Sequence, residues 1–263
     1  MVFSASLFIL LAVALVVSSM GFKKYVWFIS LGYGFSIAAE GIALLIMFPR
    51  SPLTIVACVL FIIYGCRLGG YLAYRELKSG SYSKHMKGEV KEDVVFGVKI
   101  AIWITCAILY VLQVSAVFYR LQNGAADNVW LGIGIVIMIC GIVLESSADL
   151  QKNIAKKKNP RRFVDTGLYR IVRCPNYLGE LVFWTGVLIG GIGAVAGVGQ
   201  WILVLLGYFG IVFVMFSGAR RLEIRQNKNY GHDPEYQEYV KTVPILLPFI
   251  PLYSVEKYKW LVA

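Results

Sequence analysis

Seven apolar runs, each about the length a helix needs to cross the hydrocarbon core of a bilayer, follow one another along this chain. They lie roughly at 2–20, 25–47, 53–74, 94–119, 129–148, 177–197 and 200–219. In lipid every backbone N–H and C=O must find a partner inside the protein, so spanning segments are helices or closed barrels. The short alternating apolar and polar stretches of a barrel are absent. With 58% hydrophobic and 16% charged residues and a mean hydropathy of +0.68, a soluble domain is excluded. The first run has neither a basic leading region nor a cleavage site before a soluble domain, so a retained span is expected rather than a signal peptide. The expected fold is an all-α integral membrane protein with about seven transmembrane helices. It forms a single polytopic domain over 1–263, with no internal repeat and no linker long enough to set off a second domain.

The net charge of +11 could suggest nucleic acid, but its placement argues for a membrane. Of the 26 Lys and Arg, those between spans alternate strictly from loop to loop. One side collects Lys23 and Lys24; Arg75, Lys78, Lys84, Lys87 and Lys91; the eight from Lys152 to Arg173; and seven from Arg220 to Lys259. The other side holds only Arg50 and Arg120. The positive-inside rule then puts the N-terminus outside and the C-terminus in the cytoplasm. The polar material falls in three cytoplasmic pieces, at 75–93, 149–176 and 220–263. The last opens with Arg220-Arg221-Leu222-Glu223-Ile224-Arg225, expected to continue the seventh helix. It closes on Val243 to Pro251, whose three prolines stop a helix, so this stretch is expected in the interface or plugging the cytoplasmic mouth. A bacterial inner membrane and the endoplasmic reticulum would give the same asymmetry.

Cys58, Cys66, Cys106, Cys140 and Cys174 show no paired spacing, so neither a disulfide framework nor a zinc site is expected. With only His85 and His232, a His-based metal centre is not expected either.

Ionisable side chains within spans are costly unless paired or hydrated, and so are functional candidates. Glu40, Arg67, Lys99, Glu145 and Glu180 are such residues. Asp149 follows Glu145 by one helical turn and faces the same way. Snorkelling and structural ion pairs account for single charges at helix ends. They account less well for carboxylates gathered beside Arg161, Arg162, Arg170 and Arg173. Arginines that grip phosphates, carboxylates that accept from ribose hydroxyls and an Asn that reads an amide suit a dinucleotide. No Walker or GxGxxG sequence is present. Binding of anionic lipid headgroups would explain Lys156 to Lys158, but not Asp149, Asn176 and Glu180. Tyr64 and Arg67 share a face of the third span, and a phenol near mid-bilayer can donate to a substrate carbonyl. Glu40 is a candidate partner for it, though a 1.5 Å rise per residue sets it a turn or more nearer the outer face.

Residues 145–251, about two-fifths of the chain, resemble the membrane steroid 5-alpha reductase and sterol reductase superfamily in its bacterial DUF1295-like branch. The matching pieces are Glu145-x-x-x-Asp149-x-Gln151-Lys152, Asn159-Pro160, Gly167-Leu168-Tyr169-Arg170 and Arg173-x-Pro175-Asn176-Tyr177-x-Gly179-Glu180. Tyr230-Gly231, Tyr236-x-x-Tyr239, Val243-Pro244 and Pro248 follow. The first 93 residues are less similar, chiefly through Tyr64-x-x-Arg67. The resemblance implies NADPH-dependent reduction of a carbon–carbon double bond in a steroid, sterol or related lipid enone. It places Asp149, Lys156, Arg162, Asn176 and Glu180 around NADPH, with Glu145 nearby. Lys152, Arg173, Tyr177 and Arg221 are counted in the same set. On this reading residues 1–148 carry the lipid-substrate side and 149–263 the cofactor side. Tyr64 matches the family's proton-donating Tyr, Glu40 is the nearest carboxylate and its candidate partner, and Arg67 is expected where substrate and cofactor meet. Hydride would pass to the β-carbon while Tyr64 polarises the carbonyl. Two departures leave the exact lipid open. Cys174 replaces the usual His, and alignment on Trp27 puts Leu31 where steroid 5-alpha reductases carry a Glu.

The same membrane fold class includes S-adenosylmethionine-dependent isoprenylcysteine and phospholipid methyltransferases, the main alternative. The Asp149-x-Gln151-Lys152 element and the basic fifth loop speak against it. A third reading is a lipid-binding or transport protein, which would be expected to show a matched pair of discontinuous helices. The expected partners are a lipid-soluble substrate and membrane lipids, without nucleic acid, for a monomer.

Overall fold

The computed structural model describes residues 1–49, 51–78 and 94–262, and among them it contains helices and no strand. The helices are α1 (Ala5–Ser18), α2 (Val26–Ile29), α3 (Leu31–Met47), α4 (Pro52–Lys78), α5 (Phe96–Gln122), α6 (Val129–Lys158), α7 (Pro175–Gly190), α8 (Gly197–Tyr230) and α9 (Pro234–Thr242). Five segments are long and apolar enough to cross a membrane: Ala5–Phe22, Pro52–Arg75, Phe96–Gln122, Val129–Lys158 and Gly197–Tyr230. The chain is thus a multi-pass membrane protein by helix length and composition. Helices α3 and α7 are apolar but shorter, at 17 and 16 residues. Of the basic loop positions, Arg50, Lys84, Lys87 and Lys91 lie outside the described residues, with most of the 75–93 piece.

The run at 25–47 is not one helix. It breaks at Ser30, where the backbone turns to φ −105°, ψ −85°. The Ser30 hydroxyl donates to the Val26 carbonyl at 2.9 Å, a side-chain bond to residue i−4 that competes with the helical ladder and bends it. Other helices outlast their apolar runs. α6 continues to Lys158 and α8 to Tyr230, so the expected helical continuation at 220–225 is present. The three lysines closing α6 sit where the helix dipole favours positive charge.

The chain divides into two units, Met1–Ile135 with Val187–Tyr208, and Val136–Gly186 with Phe209–Ala263. In the first, α3 and α4 meet along glycines. A Cβ on Gly65 would stand 2.3 Å from the Gly34 carbonyl oxygen, and one on Gly34 would stand 2.6 Å from the Gly69 nitrogen. Small residues permit this backbone approach, which lets helices associate in lipid without a hydrophobic driving force. Arg120 is fully buried yet satisfied: it donates to the carbonyls of Gly190 (3.1 Å) and Ala126 (2.7 Å) and to Asn128 Oδ1 (2.9 Å). It is an internal strut rather than a solvated loop charge.

In the second unit, α6 and α7 meet in the same manner. A Cβ on Gly141 would lie 2.5 Å from the Phe183 nitrogen, and one on Gly179 2.6 Å from the Glu145 nitrogen. Helix α9 starts at an Asp233 cap, which accepts from the Glu235 N–H at 2.9 Å with Pro234 in the first turn. It ends just before Val243-Pro244. The proline-rich stretch beyond pairs with the segment leading into α7. The Arg173 N–H donates to the Pro244 carbonyl at 2.9 Å and the Cys174 N–H to that of Ile245 at 3.0 Å. Ile245 and Leu246 are fully buried, each worth roughly 1.5–3 kcal/mol of transfer free energy. So part of a stretch expected at an interface is core. Its tip stays out: Phe249, at φ +65°, is 100% exposed, and Ile250 and Pro251 beside it are exposed as well.

Candidate active site

In the second unit, the loop from α6 to α7 is built by residues that the family motif singles out. Lys156 donates to the carbonyls of Arg162 (2.5 Å) and Pro160 (3.3 Å) and to the Tyr230 hydroxyl (2.9 Å), folding the chain back after the helix. Gly167 sits at φ +62°, and Gln151 Oε1 accepts from the Leu168 N–H at 2.9 Å. A Cβ on Gly167 would stand 2.4 Å from that oxygen, so the Gly-Leu pair is required both by backbone conformation and by space. The Tyr169 hydroxyl donates to the Ala148 carbonyl at 3.3 Å, and that of Tyr239 to the Tyr169 carbonyl at 2.7 Å. Phe163 packs against Tyr236 and Tyr239 with ring centroids 5.3 and 5.4 Å apart. These motif aromatics are scaffold.

Arg173 lies inside this scaffold. Its Nη2 donates to Glu223 Oε1 at 2.9 Å, with both side chains 1% exposed, and also to the Tyr253 carbonyl. Its Nε and Nη1 are buried without a hydrogen-bond partner among the described residues. Beside it, the Cys174 thiol is pushed up to about 12 by burial, against the pull of the Arg173 and Lys152 charges. Burial likewise raises Tyr236 to about 12 and raises Tyr239.

Asn176 and Tyr177 occupy the first turn of α7 and are half-buried. The Tyr177 ring rests on Gly218, whose Cβ would meet it at 3.3 Å, and it is within electrostatic range of Arg221, Glu180 and Arg225. The structure therefore gathers Lys152 from α6, Arg173 from the segment before α7, Tyr177 and Glu180 from α7 and Arg221 from α8 around the start of α7. Glu145, Asp149 and Glu180 are buried, and the close approach at Gly179 puts Glu145 at the α6–α7 seam. Arg162 faces elsewhere. It is 42% exposed and paired with Asp165 at 2.8 Å and Glu235 at 2.5 Å, and these carboxylates raise its pKa. Such surface pairs contribute about 1 kcal/mol or less.

The first unit holds Tyr64, Glu40 and Arg67. Tyr64 is fully buried, and its hydroxyl lies 2.8 Å from that of Tyr33. Gln113 Nε2 donates to the Tyr33 hydroxyl at 3.3 Å. Tyr33 stacks on Tyr110 at 5.3 Å, and the Tyr110 hydroxyl donates to the Phe28 carbonyl at 2.5 Å. Glu40 is fully buried, and neither carboxylate oxygen has a hydrogen-bond partner among the described residues. Arg67 is half-buried, one turn beyond Tyr64. Sequence reading missed Tyr33 and Gln113, and it missed Glu223 as the partner of Arg173. Glu223 carried a signal, as the sole acid within the Arg220–Arg225 run.

Comparison with known proteins bears on this arrangement. The profile of the DUF1295 family, described as a protein of unknown function, matches residues 14–243. The chain belongs to the DUF1295 family. Among curated proteins, it is 25% identical over 121 residues to "Steroid 5-alpha-reductase DET2" of Arabidopsis thaliana, covering 45% of this chain and 41% of that protein. It is 27% identical over 123 residues to "3-oxo-5-alpha-steroid 4-dehydrogenase 1" of Rattus norvegicus, covering 44% of this chain and 40% of that one. The chain thus spans about two-fifths of the length of the curated relatives it matches. No solved structure matches it. This DUF1295 member has the steroid 5-alpha reductase relationship that its motifs imply.

Proposed function

We propose that this protein is an NADPH-dependent membrane reductase of a carbon–carbon double bond conjugated to a carbonyl in a steroid, sterol or related lipid. The observation that carries the reading is Arg173, a buried guanidinium beside the start of α7 with two nitrogens, Nε and Nη1, that have no hydrogen-bond partner among the described residues. A buried cation with spare donors suits an anionic group, and bidentate phosphate recognition is what a guanidinium does well. The two steroid reductases among its relatives point the same way.

Lys152, Arg173 and Arg221 would hold the phosphates, with Lys156 bracing the loop beside them, while Arg162 is turned towards Asp165 and Glu235. Asn176 reads the carboxamide, while Asp149 and Glu180, with Glu145 behind them, accept from ribose hydroxyls. Tyr177 closes the wall. When bound, NADPH supplies the hydride. Tyr64 donates to the substrate carbonyl as negative charge grows on its oxygen, and Glu40 is the second polar group offered to the substrate. NADPH would supply a hydride to the β-carbon, and a proton from water would complete the α-carbon of the enolate. In the membrane, α3 and α7 join the five long helices to make seven spans, with the cofactor residues facing the cytoplasm and the N-terminus outside.

The deciding measurement is thermal unfolding in mild detergent with NADPH, NADH or S-adenosylmethionine. Stabilisation by several degrees with NADPH is expected from ligand linkage. Stabilisation by S-adenosylmethionine alone overturns the reductase in favour of a methyltransferase.

A further inference from the structure

We infer that residues 256–262 form a lipid-facing anchor in the interface of the bilayer that α8 crosses. Trp260 sits at the depth of the headgroups, and Lys257 and Lys259 lie on their phosphates. The inference does not rest on the reductase reading, since none of these residues belongs to the proposed cofactor set. Helix α8 carries no Asp, Glu, Lys or Arg from Gly197 to Ala219, and Arg220 is its first charge. Phe213 lies two helical turns before that charge, about 10 Å along the axis. The Trp260 ring stacks on Phe213, with centroids 6.1 Å apart and 17° between the planes. One turn earlier, on the same side of α8, Phe209 is exposed. A ring held at this level of a membrane-crossing helix meets the boundary between headgroups and acyl chains, where Trp and Tyr settle.

The segment is fastened along α8. Arg220 Nε donates to the Glu256 carbonyl at 3.0 Å and its Nη1 to that of Leu261 at 3.5 Å. Asn227 Nδ2 donates to the Glu256 carboxylate at 2.7 Å. Val255 and Leu261 are buried and fix the inner face. The outer face carries Trp260, 66% exposed, with Lys257, Lys259 and Val262, all exposed. The Lys257 ammonium stands 5.1 Å from the Tyr258 ring, and Tyr258 meets Trp260 edge-on at 6.4 Å. An indole this open gains nothing from water, whereas a bilayer surface offers it acyl chains on one side and polar headgroups on the other. Two lysines and Arg220 against Glu256 alone leave the face net positive. That charge suits anionic headgroups, and it opposes a second copy of the same face.

The test uses the full chain in liposomes of phosphatidylcholine, with or without phosphatidylglycerol. It reads Trp260 as the difference in fluorescence between wild type and Trp260→Phe. That substitution removes one of six tryptophans and keeps a ring on Phe213. An unchanged unfolding temperature validates the control, and Trp260→Tyr replaces it otherwise. Trp260 emission should be quenched by lipids brominated near the headgroup, less by lipids brominated at the chain ends, and little by aqueous acrylamide. Quenching by acrylamide with no effect of either brominated lipid overturns the inference. So does strongest quenching from the chain ends, which puts the ring in the membrane core. Insensitivity to all three quenchers places Trp260 against protein, such as a second copy of the chain, and overturns it too. A second arm compares wild type with Lys257→Gln plus Lys259→Gln, each against its own Trp260→Phe control. At low salt, phosphatidylglycerol should strengthen the quenching from near the headgroup in wild type, and the double variant should lose that increase. An equal increase in the double variant overturns the role given to the lysines.

Discussion

Arg173 and Glu223 stand 50 residues apart in sequence and 2.9 Å apart in space, and neither side chain reaches solvent. Glu223 uses its second oxygen to accept from the Val255 N–H at 2.8 Å. One carboxylate thus holds the residue before Cys174 and the C-terminal segment together.

Removing that carboxylate leaves a buried guanidinium without its countercharge. Breaking one half of a buried pair costs about 3–5 kcal/mol, while replacing both halves by apolar groups is often nearly neutral. Glu223→Ala should therefore lower the unfolding temperature markedly in detergent, and Arg173→Met with Glu223→Leu should recover most of the loss. Equal instability of the single and double variants would show that packing, not charge, holds the segment.

Gly179→Ala should push α6 and α7 apart, because its Cβ would fall 2.6 Å from the Glu145 nitrogen. Overpacking of this kind costs about 1–3 kcal/mol, and NADPH affinity should fall with it. Gly132→Ala, with nothing within 4 Å of the added carbon, should instead gain about 0.5–1 kcal/mol from helix propensity. Titrating NADPH against both variants separates a packing effect from general intolerance of side chains.

Asn176→Ala should abolish the NADPH-dependent rise in unfolding temperature, whereas Tyr64→Phe should keep it and lose about a hundredfold or more in turnover. Thermal shift and a single-turnover assay on the same preparations distinguish the two effects.

The Cys174 thiol, pushed up to about 12 by burial from a usual 9.0, makes a prediction about alkali. A folded-state pKa above the unfolded one stabilises the fold fully below about pH 9, and the contribution is lost as pH climbs towards 12. Wild type should then lose stability more steeply over that window than Cys174→Ala. At neutral pH the buried thiol should resist alkylation until the protein is denatured, which intact-mass spectrometry reads directly.

Hydropathy made the helices legible because burial in lipid is a property of each residue's own side chain. The helical continuations at 149–158 and 220–230 carry no such mark, and only the basic run at 220–225 hinted at one. The break at Ser30 is invisible to hydropathy, since one hydroxyl bonding one carbonyl does not alter the average. The motif stretch drew attention to Arg173 to Glu180, which the fold packs beside α6 and α8. It could not separate ligand-facing residues from those that hold the loop, such as Tyr169, Tyr236 and Tyr239. Arg162 shows the same limit: sequence reveals its charge, while its direction, towards Asp165 and Glu235, depends on how the loop closes. Tyr33 was hidden as one of 16 tyrosines, because a hydroxyl pair across two helices leaves no spacing to detect.

The touching backbones at Gly34 and Gly65 mean that α3 and α4 can neither slide nor roll against each other without collision. A thicker or thinner bilayer can tilt the pair as one stiff rod. The 2.8 Å spacing between the Tyr33 and Tyr64 phenol oxygens is then insensitive to lipid composition.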